Sequence, residues 1–287
     1  MAEINSETKL VGLIGNPVKH SLSPVIQNRA FQVSGLNLAY FTFKVEPHDL
    51  EQAIEGMAAL GLAGFNVTIP FKETVLPFLD ILEPEVKMIG AANTVVIQDG
   101  KLRGWNTDGL GFIRSLEEKG INPAGQNILL IGAGGAAKAV SVALALQGAK
   151  SIIVANRSLS RGQQLSEKLS AMGVSSLAIP LEQLTTKIDF QNLDLVVNAT
   201  PVGMHSTQEA HLIPVNLLSR SAVVCDLVYG SRRSWLLQEA SGRGCTALDG
   251  SGMLLHQGAE AFQLFTGVKP PIDDMREALD VVLCQNM

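Results

Sequence analysis

Asn127-Ile128-Leu129-Leu130-Ile131-Gly132-Ala133-Gly134-Gly135-Ala136-Ala137 decides the fold of this chain. A short apolar run passes directly into a G-x-G-G-x-A turn, and a helical pattern follows as far as Gly148. The turn carries almost no side chains, so backbone N–H groups and a helix N-terminus can approach a pyrophosphate. A bare strand-to-helix connection would look similar, so the flanking sequence has to choose between the two.

The next strand, Ile152-Ile153-Val154, closes on Asn156-Arg157-Ser158, about 24 residues past the first glycine. An NAD site would place Asp or Glu there for the ribose 2′-hydroxyl. Arg157 instead offers a forked donor set to a 2′-phosphate, and Arg161 follows one helical turn later. The pattern favours NADP, although Ser158 also suits a helix N-cap beside two solvated arginines. Leu193-Asp194-Leu195-Val196-Val197 and Ala222-Val223-Val224-Cys225 are nearly all apolar, as strands covered on both faces should be. The stretch Asn198-Ala199-Thr200-Pro201-Val202-Gly203-Met204 then brings polar groups, Thr200 among them, to the strand end that faces the ligand crevice of an open sheet.

The same alternation of apolar runs and amphipathic segments fills the N-terminal third, so the fold class is α/β with two domains. Leu10 to Ile14, Ala39 to Phe43 and Ala63 to Val67 read as strands. A helix opens at Ser23-Pro24, and another from Pro47 carries Leu50, Ile54, Met57 and Leu60 on one face. Asp99-Gly100 marks a hairpin between Thr94-Val95-Val96-Ile97 and Lys101-Leu102-Arg103. Helical patterns from Met253 to Phe265 and from Asp274 to Leu283 come after the cofactor domain is complete and are expected to pack back on the first.

A net charge of −5 gives no electrostatic footprint for nucleic acid or an anionic membrane. The first residues lack signal-peptide order, and no apolar run approaches the roughly 20 residues that span a bilayer. A cytoplasmic protein is expected. Cys225, Cys245 and Cys284 show no CxxC spacing and read as buried thiols, and the histidines form no metal-ligand spacing, so no metal is expected.

Polar side chains collect at the strand ends of the first domain. Ser21 and Ser23, before a proline-opened helix, suit either a pair of carboxylate ligands or helix caps. Asn66, Thr68 and Lys72 place an amide, a hydroxyl and an amine at one sheet edge. Lys72 reads either as a solvated surface charge or, if partly desolvated, as a group that exchanges a proton with a substrate hydroxyl; Asp108 would be its partner.

With SLSP (Ser21 to Pro24), NVTIPFK (Asn66 to Lys72), GAANT (Gly90 to Thr94), WNTDG (Trp105 to Gly109), GAGGAA, NRS, NATPVGM and GSGMLLHQ (Gly250 to Gln257) in this order, the chain resembles the shikimate dehydrogenase family over nearly its whole length. These are NADP enzymes of chorismate and aromatic amino acid biosynthesis. The expected organisation is a substrate-binding catalytic domain over 1–108, a Rossmann-like NADP domain over 109–248 and returning helices over 249–287; with no flexible linker in the chain, short hinges are expected near Asp108 and Asp249, and ligands split between two domains suggest a cleft that closes. The resemblance implies that Ser21 and Ser23 hold a substrate carboxylate, and that Asn66, Thr68, Asn93, Asp108, Tyr229 and Gln257 line the substrate. Lys72 and Asp108 become the catalytic pair. Gly132, Ala133, Gly134, Gly135 and Ala136 would hold the pyrophosphate, and Asn156, Arg157, Ser158 and Arg161 the ribose phosphate. Thr200, Leu227, Gly250 and Met253 complete the cofactor site. The reaction implied is reversible reduction of 3-dehydroshikimate to shikimate by a monomer or homodimer. An NAD-using quinate/shikimate dehydrogenase is the alternative, expected to carry an acidic residue near Arg157. One segment departs from the pattern: Tyr229-Gly230-Ser231-Arg232-Arg233-Ser234 stands where the family often reads Tyr-x-Pro-x-x-Thr.

Overall fold

The all-apolar strands of the glycine-turn region pack on both faces because successive residues alternate sides. Ile128 and Leu130 enter one core with Val140, Val154 and Val197, while Leu129 and Ile131 enter another with Val196, Val224 and Leu236. The structure is a computed structural model that describes residues 4–203, 212–230 and 232–285. It divides into two compact units, one ending at Gly111 but including Leu254–Gln285, the other running Phe112–Met253.

The first unit contains β1 (Lys9–Gly15), α1 (Ser23–Val33), β2 (Leu38–Lys44), α2 (Leu50–Ala59), β3 (Gly64–Val67), β4 (Ile81–Leu82), α3 (Pro84–Ile89), β5 (Thr94–Gln98) and β6 (Lys101–Trp105). The division between units then falls within α4 (Asp108–Glu117). The second unit continues with β7 (Asn127–Ile131), α5 (Gly135–Leu146), β8 (Ser151–Asn156), α6 (Leu159–Ala171), β9 (Ser175–Pro180), α7 (Leu184–Lys187), β10 (Leu195–Asn198), β11 (Val223–Asp226), α8 (Trp235–Arg243) and β12 (Thr246–Leu248). α9 (Ser251–Thr266) and α10 (Ile272–Gln285) end the chain, and all of α10 belongs to the first unit.

In the first unit the sheet order is β2-β1-β3-β5-β6-β4. The first three strands are parallel, and β5 runs antiparallel to both neighbours. The hairpin expected at Asp99-Gly100 is present, with φ of 52° and 71° at its two central residues, the left-handed pair that a two-residue turn needs. One face is covered by α2, where Ile54 and Met57 meet Ile14, Phe65 and Val67. α10 lies against α1, tied by a 2.8 Å ion pair between Arg29 and Asp274, and Phe31 stacks on Phe262 of α9 at 5.6 Å between ring centroids. Leu60 departs from its expected place on the buried face of α2, because the helix stops at Ala59 and Leu60 is 79% exposed in its C-cap.

The second sheet is wholly parallel in the order β12-β11-β10-β7-β8-β9. Chain direction across the sheet reverses between β7 and β10, which puts a crevice at the carboxyl ends of those two strands. Of the three thiols expected to be buried, Cys225 and Cys245 are, but Cys284 is exposed near the end of α10. Met204 and Ser231, which belong to two of the motifs, lie outside the described residues. Among those residues no helix is long and apolar enough to cross a membrane, and no cluster of metal-ligating side chains occurs.

Candidate active site

Two sets of polar side chains stand at strand ends, one in each unit. In the first, Lys72 follows β3, and its carbonyl accepts from the N–H of Ala92 at 2.8 Å, which pins the lysine backbone beside the start of β5. Its ammonium donates to Asp108 Oδ2 at 2.5 Å. Both side chains are largely shielded, with 15% of the lysine and 4% of the aspartate exposed. Asp108 is the first residue of α4, where a carboxylate complements the helix dipole. Its N–H donates to Asn106 Oδ1 at 3.1 Å. The other carboxylate oxygen accepts from Asn93 Nδ2 at 2.8 Å.

Asn93 has both sides of its amide in use: Nδ2 also donates to Thr107 Oγ1, while Oδ1 accepts from the Thr107 N–H and from Thr94 Oγ1. Asn66 gives both amide hydrogens to the protein, one to Asn93 O at 3.1 Å and one to Thr94 Oγ1 at 2.9 Å, and its oxygen accepts from the Tyr40 hydroxyl at 2.7 Å. Lys72, Asp108, Asn93 and Asn66 are thus one connected network; Thr94, Thr107 and Asn106 belong to it from within the GAANT and WNTDG motifs, where no role was read for them, and Tyr40 joins it from outside every motif.

Thr68 is half-buried just past β3. Ser21 lies in the loop that leads into α1, and Ser23 is the first residue of that helix. The N-cap of that helix is Leu22, so neither serine is its N-cap, although Ser21 takes up the first helical N–H. Ser21 Oγ accepts from the Ser23 N–H at 3.2 Å. Gln257 lies in α9, with Nε2 bound to the carbonyl of Leu254.

In the second unit, Gly132 has φ of 116° and donates its N–H to Ala155 O at 2.8 Å, closing the turn after β7. Gly134 is the N-cap of α5, and a Cβ added there would meet nothing within 4 Å. The turn therefore has an open, side-chain-free face at a helix N-terminus, the cradle a pyrophosphate requires, and the donor set fits a dinucleotide. Arg157 and Ser158 are exposed after β8, as is Arg161 in α6. Ser158 occupies the N-cap of α6, yet its hydroxyl makes no capping bond and pairs with Ser160 Oγ instead. Asn156 Nδ2 donates to the carbonyl of Ser158 at 2.9 Å.

At the ends of β10 and β11, Thr200 donates from both N–H and Oγ1 to Asn198 Oδ1, and Asn198 Nδ2 donates to Asp226 Oδ1 at 2.9 Å. Ser234 Oγ donates to Asp226 Oδ2 at 2.6 Å while accepting from the N–H of Leu237 as the N-cap of α8. A serine thus ties the atypical loop down despite its lost proline. Arg233 turns to Ser241 Oγ and Ala247 O, and Arg232 is exposed. Burial pushes the Asp226 carboxyl above its ordinary range, outweighing the hydrogen bonds from Ser234, Val228 and Asn198 that favour its ionised form. Leu227 and Gly250 are pressed together, since a Cβ on Gly250 would lie 2.2 Å from Leu227 O. Met253 is buried, and Tyr229 is half-buried with its phenol pushed up by burial. Asp226 escaped sequence reasoning, although a charge ending an all-apolar strand was a readable signal.

A parallel sheet with its reversal behind a glycine turn, joined in one chain to a unit that holds a buried lysine–carboxylate pair, defines the class of two-unit α/β proteins with a dinucleotide-type cradle. Three family models match in order: the shikimate dehydrogenase substrate binding domain over residues 13–95, shikimate/quinate 5-dehydrogenase over 115–227, and the shikimate 5′-dehydrogenase C-terminal domain over 250–279. The shikimate dehydrogenase (NADP+) of Methanopyrus kandleri is 46% identical, with 96% of each chain covered. A crystal structure of a shikimate dehydrogenase in complex with NADP+ superposes with a TM-score of 0.89 at 39% identity, covering 98% of both chains. The Listeria monocytogenes shikimate 5-dehydrogenase in complex with shikimate and NAD gives 0.88 at 36% identity, covering 97% of this chain and 99% of that one. This chain belongs to the shikimate dehydrogenase family.

Proposed function

We propose that the chain catalyses reversible, NADP-dependent interconversion of 3-dehydroshikimate and shikimate, with Lys72 as acid/base group and Asp108 as its partner. The buried hydrogen bond between those two side chains carries the reading. A lysine shielded from water and held at one distance from a carboxylate is prepared to hand over a proton at a fixed point, which a solvated surface lysine is not. The name of the Methanopyrus kandleri relative and the NADP+ complex of the superposed structure support the same substrate and cofactor.

NADPH, when bound, supplies the hydride for the ring carbon. Lys72 Nζ gives a proton to the oxygen of the former ketone, and in the reverse direction takes it from the hydroxyl. Asp108 holds the ammonium in place through Oδ2 and offers its carboxylate to the same substrate hydroxyl. Ser21 and Ser23, neither of which is the N-cap of α1, receive the substrate carboxylate. Thr68 and Gln257 bind ring hydroxyls, whereas Asn93, assigned the same role by the resemblance, has both amide hydrogens on Thr107 and Asp108 and contributes by orienting Asp108. Asn66 has no amide hydrogen left for a substrate, so it contributes through its contacts with Asn93 and Thr94. Tyr229 completes the substrate site.

Gly132, Ala133, Gly134, Gly135 and Ala136 hold the pyrophosphate, and Asn156, Arg157, Ser158 and Arg161 the 2′-phosphate. Thr200, Leu227, Gly250 and Met253 bound the nicotinamide. The exposed guanidinium of Arg157, in the place where an acidic residue would select NAD, favours NADP over the NAD-linked quinate alternative. NADPH oxidation with 3-dehydroshikimate is the test, run on wild type, Lys72→Ala and Asp108→Ala, with quinate and NAD in parallel. Activity in the wild type that both variants lack is expected; an inactive wild type, or variants at full rate, defeats the reading.

A further inference from the structure

We propose that Tyr40 is a positioning residue for the Lys72–Asp108 pair, acting through a chain of buried hydrogen bonds whose directions are all fixed. The inference rests on the function proposed above. Tyr40, Asn66, Thr94, Asn93 and Asp108 are each buried, and the links between them are Tyr40 Oη to Asn66 Oδ1, Asn66 Nδ2 to Thr94 Oγ1, Thr94 Oγ1 to Asn93 Oδ1 and Asn93 Nδ2 to Asp108 Oδ1, at 2.7, 2.9, 2.9 and 2.8 Å.

Two backbone groups leave the amides no choice of orientation. The carbonyl of Asn93 can only accept, so Asn66 must turn Nδ2 toward it and Oδ1 toward Tyr40. The N–H of Thr107 can only donate, so Asn93 must turn Oδ1 toward it and Nδ2 toward Asp108. Thr94, already accepting from Asn66, is left with its one hydroxyl hydrogen for Asn93. The first donor in the line is the Tyr40 hydroxyl, and no hydrogen of either amide is spare to replace it.

Tyr40 is itself held in place along its backbone. It is a residue of β2, a strand at the edge of the sheet. Asn28 of α1 supplies what a neighbouring strand would: its Oδ1 accepts from the Tyr40 N–H at 2.8 Å and its Nδ2 donates to the Tyr40 carbonyl at 3.0 Å. Removing the hydroxyl leaves Asn66 Oδ1 as a buried acceptor without a donor. The Thr94 hydroxyl, 2.9 Å from Asn66 Nδ2, carries a hydrogen that can turn toward that amide, and in turning it lets go of Asn93. The amide that orients Asp108 is then held by fewer bonds, although the Tyr40 hydroxyl itself bonds to Asn66.

Tyr40→Phe and Thr94→Val in the full chain test this. Each should lower kcat/KM for 3-dehydroshikimate by about 5- to 30-fold, the scale of losing one buried hydrogen bond, while KM for NADPH stays within about twofold. The side-chain amide hydrogens of Asn93, followed by NMR, should exchange with solvent faster in both. The double variant should be no worse than the poorer single one, because both changes break the same chain. Full kcat/KM in either variant of an active enzyme, unchanged Asn93 exchange, or multiplied losses in the double variant would overturn the proposal. Should Tyr40→Phe prove insoluble, Thr94→Val alone decides it, since it removes a hydroxyl at constant shape. A wild type without activity defeats the functional reading, and the Asn93 exchange rates then still decide the role of Tyr40.

Discussion

Lys72 Nζ reaches Asp108 Oδ2 at 2.5 Å in a site that leaves only 4% of the aspartate side chain exposed. A buried ion pair is poor evidence for stability, but breaking one by removing a single partner strands the other charge. Lys72→Ala should therefore lose about 3 kcal/mol of unfolding free energy, the low end for buried pairs because the lysine keeps some contact with water. Adding Asp108→Ala should restore part of that loss, whereas activity stays absent in both. Chemical denaturation of the two variants checks it. A double variant less stable than Lys72→Ala would mean the pair is not acting as compensating charges.

Gly134 and Gly132 separate ligand space from folding space. A Cβ at Gly134 meets no protein atom within 4 Å, so Gly134→Ala should cost less than about 1 kcal/mol in stability, a cap-sized effect. The added methyl would stand where the pyrophosphate must approach, and KM for NADPH should rise at least about tenfold, the cost of misplacing one phosphate contact. Gly132→Ala behaves differently. At φ of 116° and with Ala199 O 3.1 Å from the new Cβ, it should destabilise by about 1–3 kcal/mol. Melting temperatures and NADPH titrations on both variants distinguish them, and equal loss of stability would refute the division.

Much of the second unit could be read directly because its central strands are covered on both faces, which forces unbroken apolar runs such as Ile128 to Ile131. Its margins were not anticipated. β9 is the mixed Ser175-Ser176-Leu177-Ala178-Ile179-Pro180 at one edge, and β12 is three residues long at the other, so neither has the burial that writes a strand into a sequence. α4 was hidden by Gly109 and Gly111, which weaken a helical pattern. At the site, Lys72 and Asp108 stood out as charges at element ends. Tyr40 and Thr94 did not, since what recruits them is contact with Asn66 across 26 and 28 positions of chain, and sequence spacing carries no sign of it.

Arg157 is exposed after β8 with no acidic neighbour in Asn156 or Ser158. On the proposed assignment, Arg157→Ala removes a charge-assisted contact to the 2′-phosphate, about 1.5–3 kcal/mol. KM for NADPH should then rise by about tenfold to a hundredfold, with kcat within about twofold and KM for NADH unchanged, since NADH has no phosphate to lose. An equal rise in KM for both cofactors would show that Arg157 supports the fold of the turn and does not read the phosphate.

Asp226 ties stability to pH. Burial raises its carboxyl above the ordinary 3.8, with Asp249 adding to the rise, so the folded chain holds a proton that the unfolded chain has already released. For a carboxyl shifted upward the sign follows: its contribution is most favourable below 3.8 and is lost as pH climbs through the raised value. Asp226→Asn removes the buried charge but keeps an oxygen for Asn198 Nδ2 and the Val228 N–H, and its new amide can donate to Ser234 Oγ. The variant should melt at or above the wild type at pH 7, and the gap should close as pH falls toward 4. Because Asn198 keeps its partner, Thr200 keeps its place, and KM for NADPH should change by less than about twofold. Asp226→Ala leaves those three groups without their acceptor and should melt below wild type at every pH. Melting curves from pH 4 to 8 decide the matter: an asparagine variant that is less stable at pH 7 than at pH 4, relative to wild type, would show that the hydrogen bonds outweigh burial.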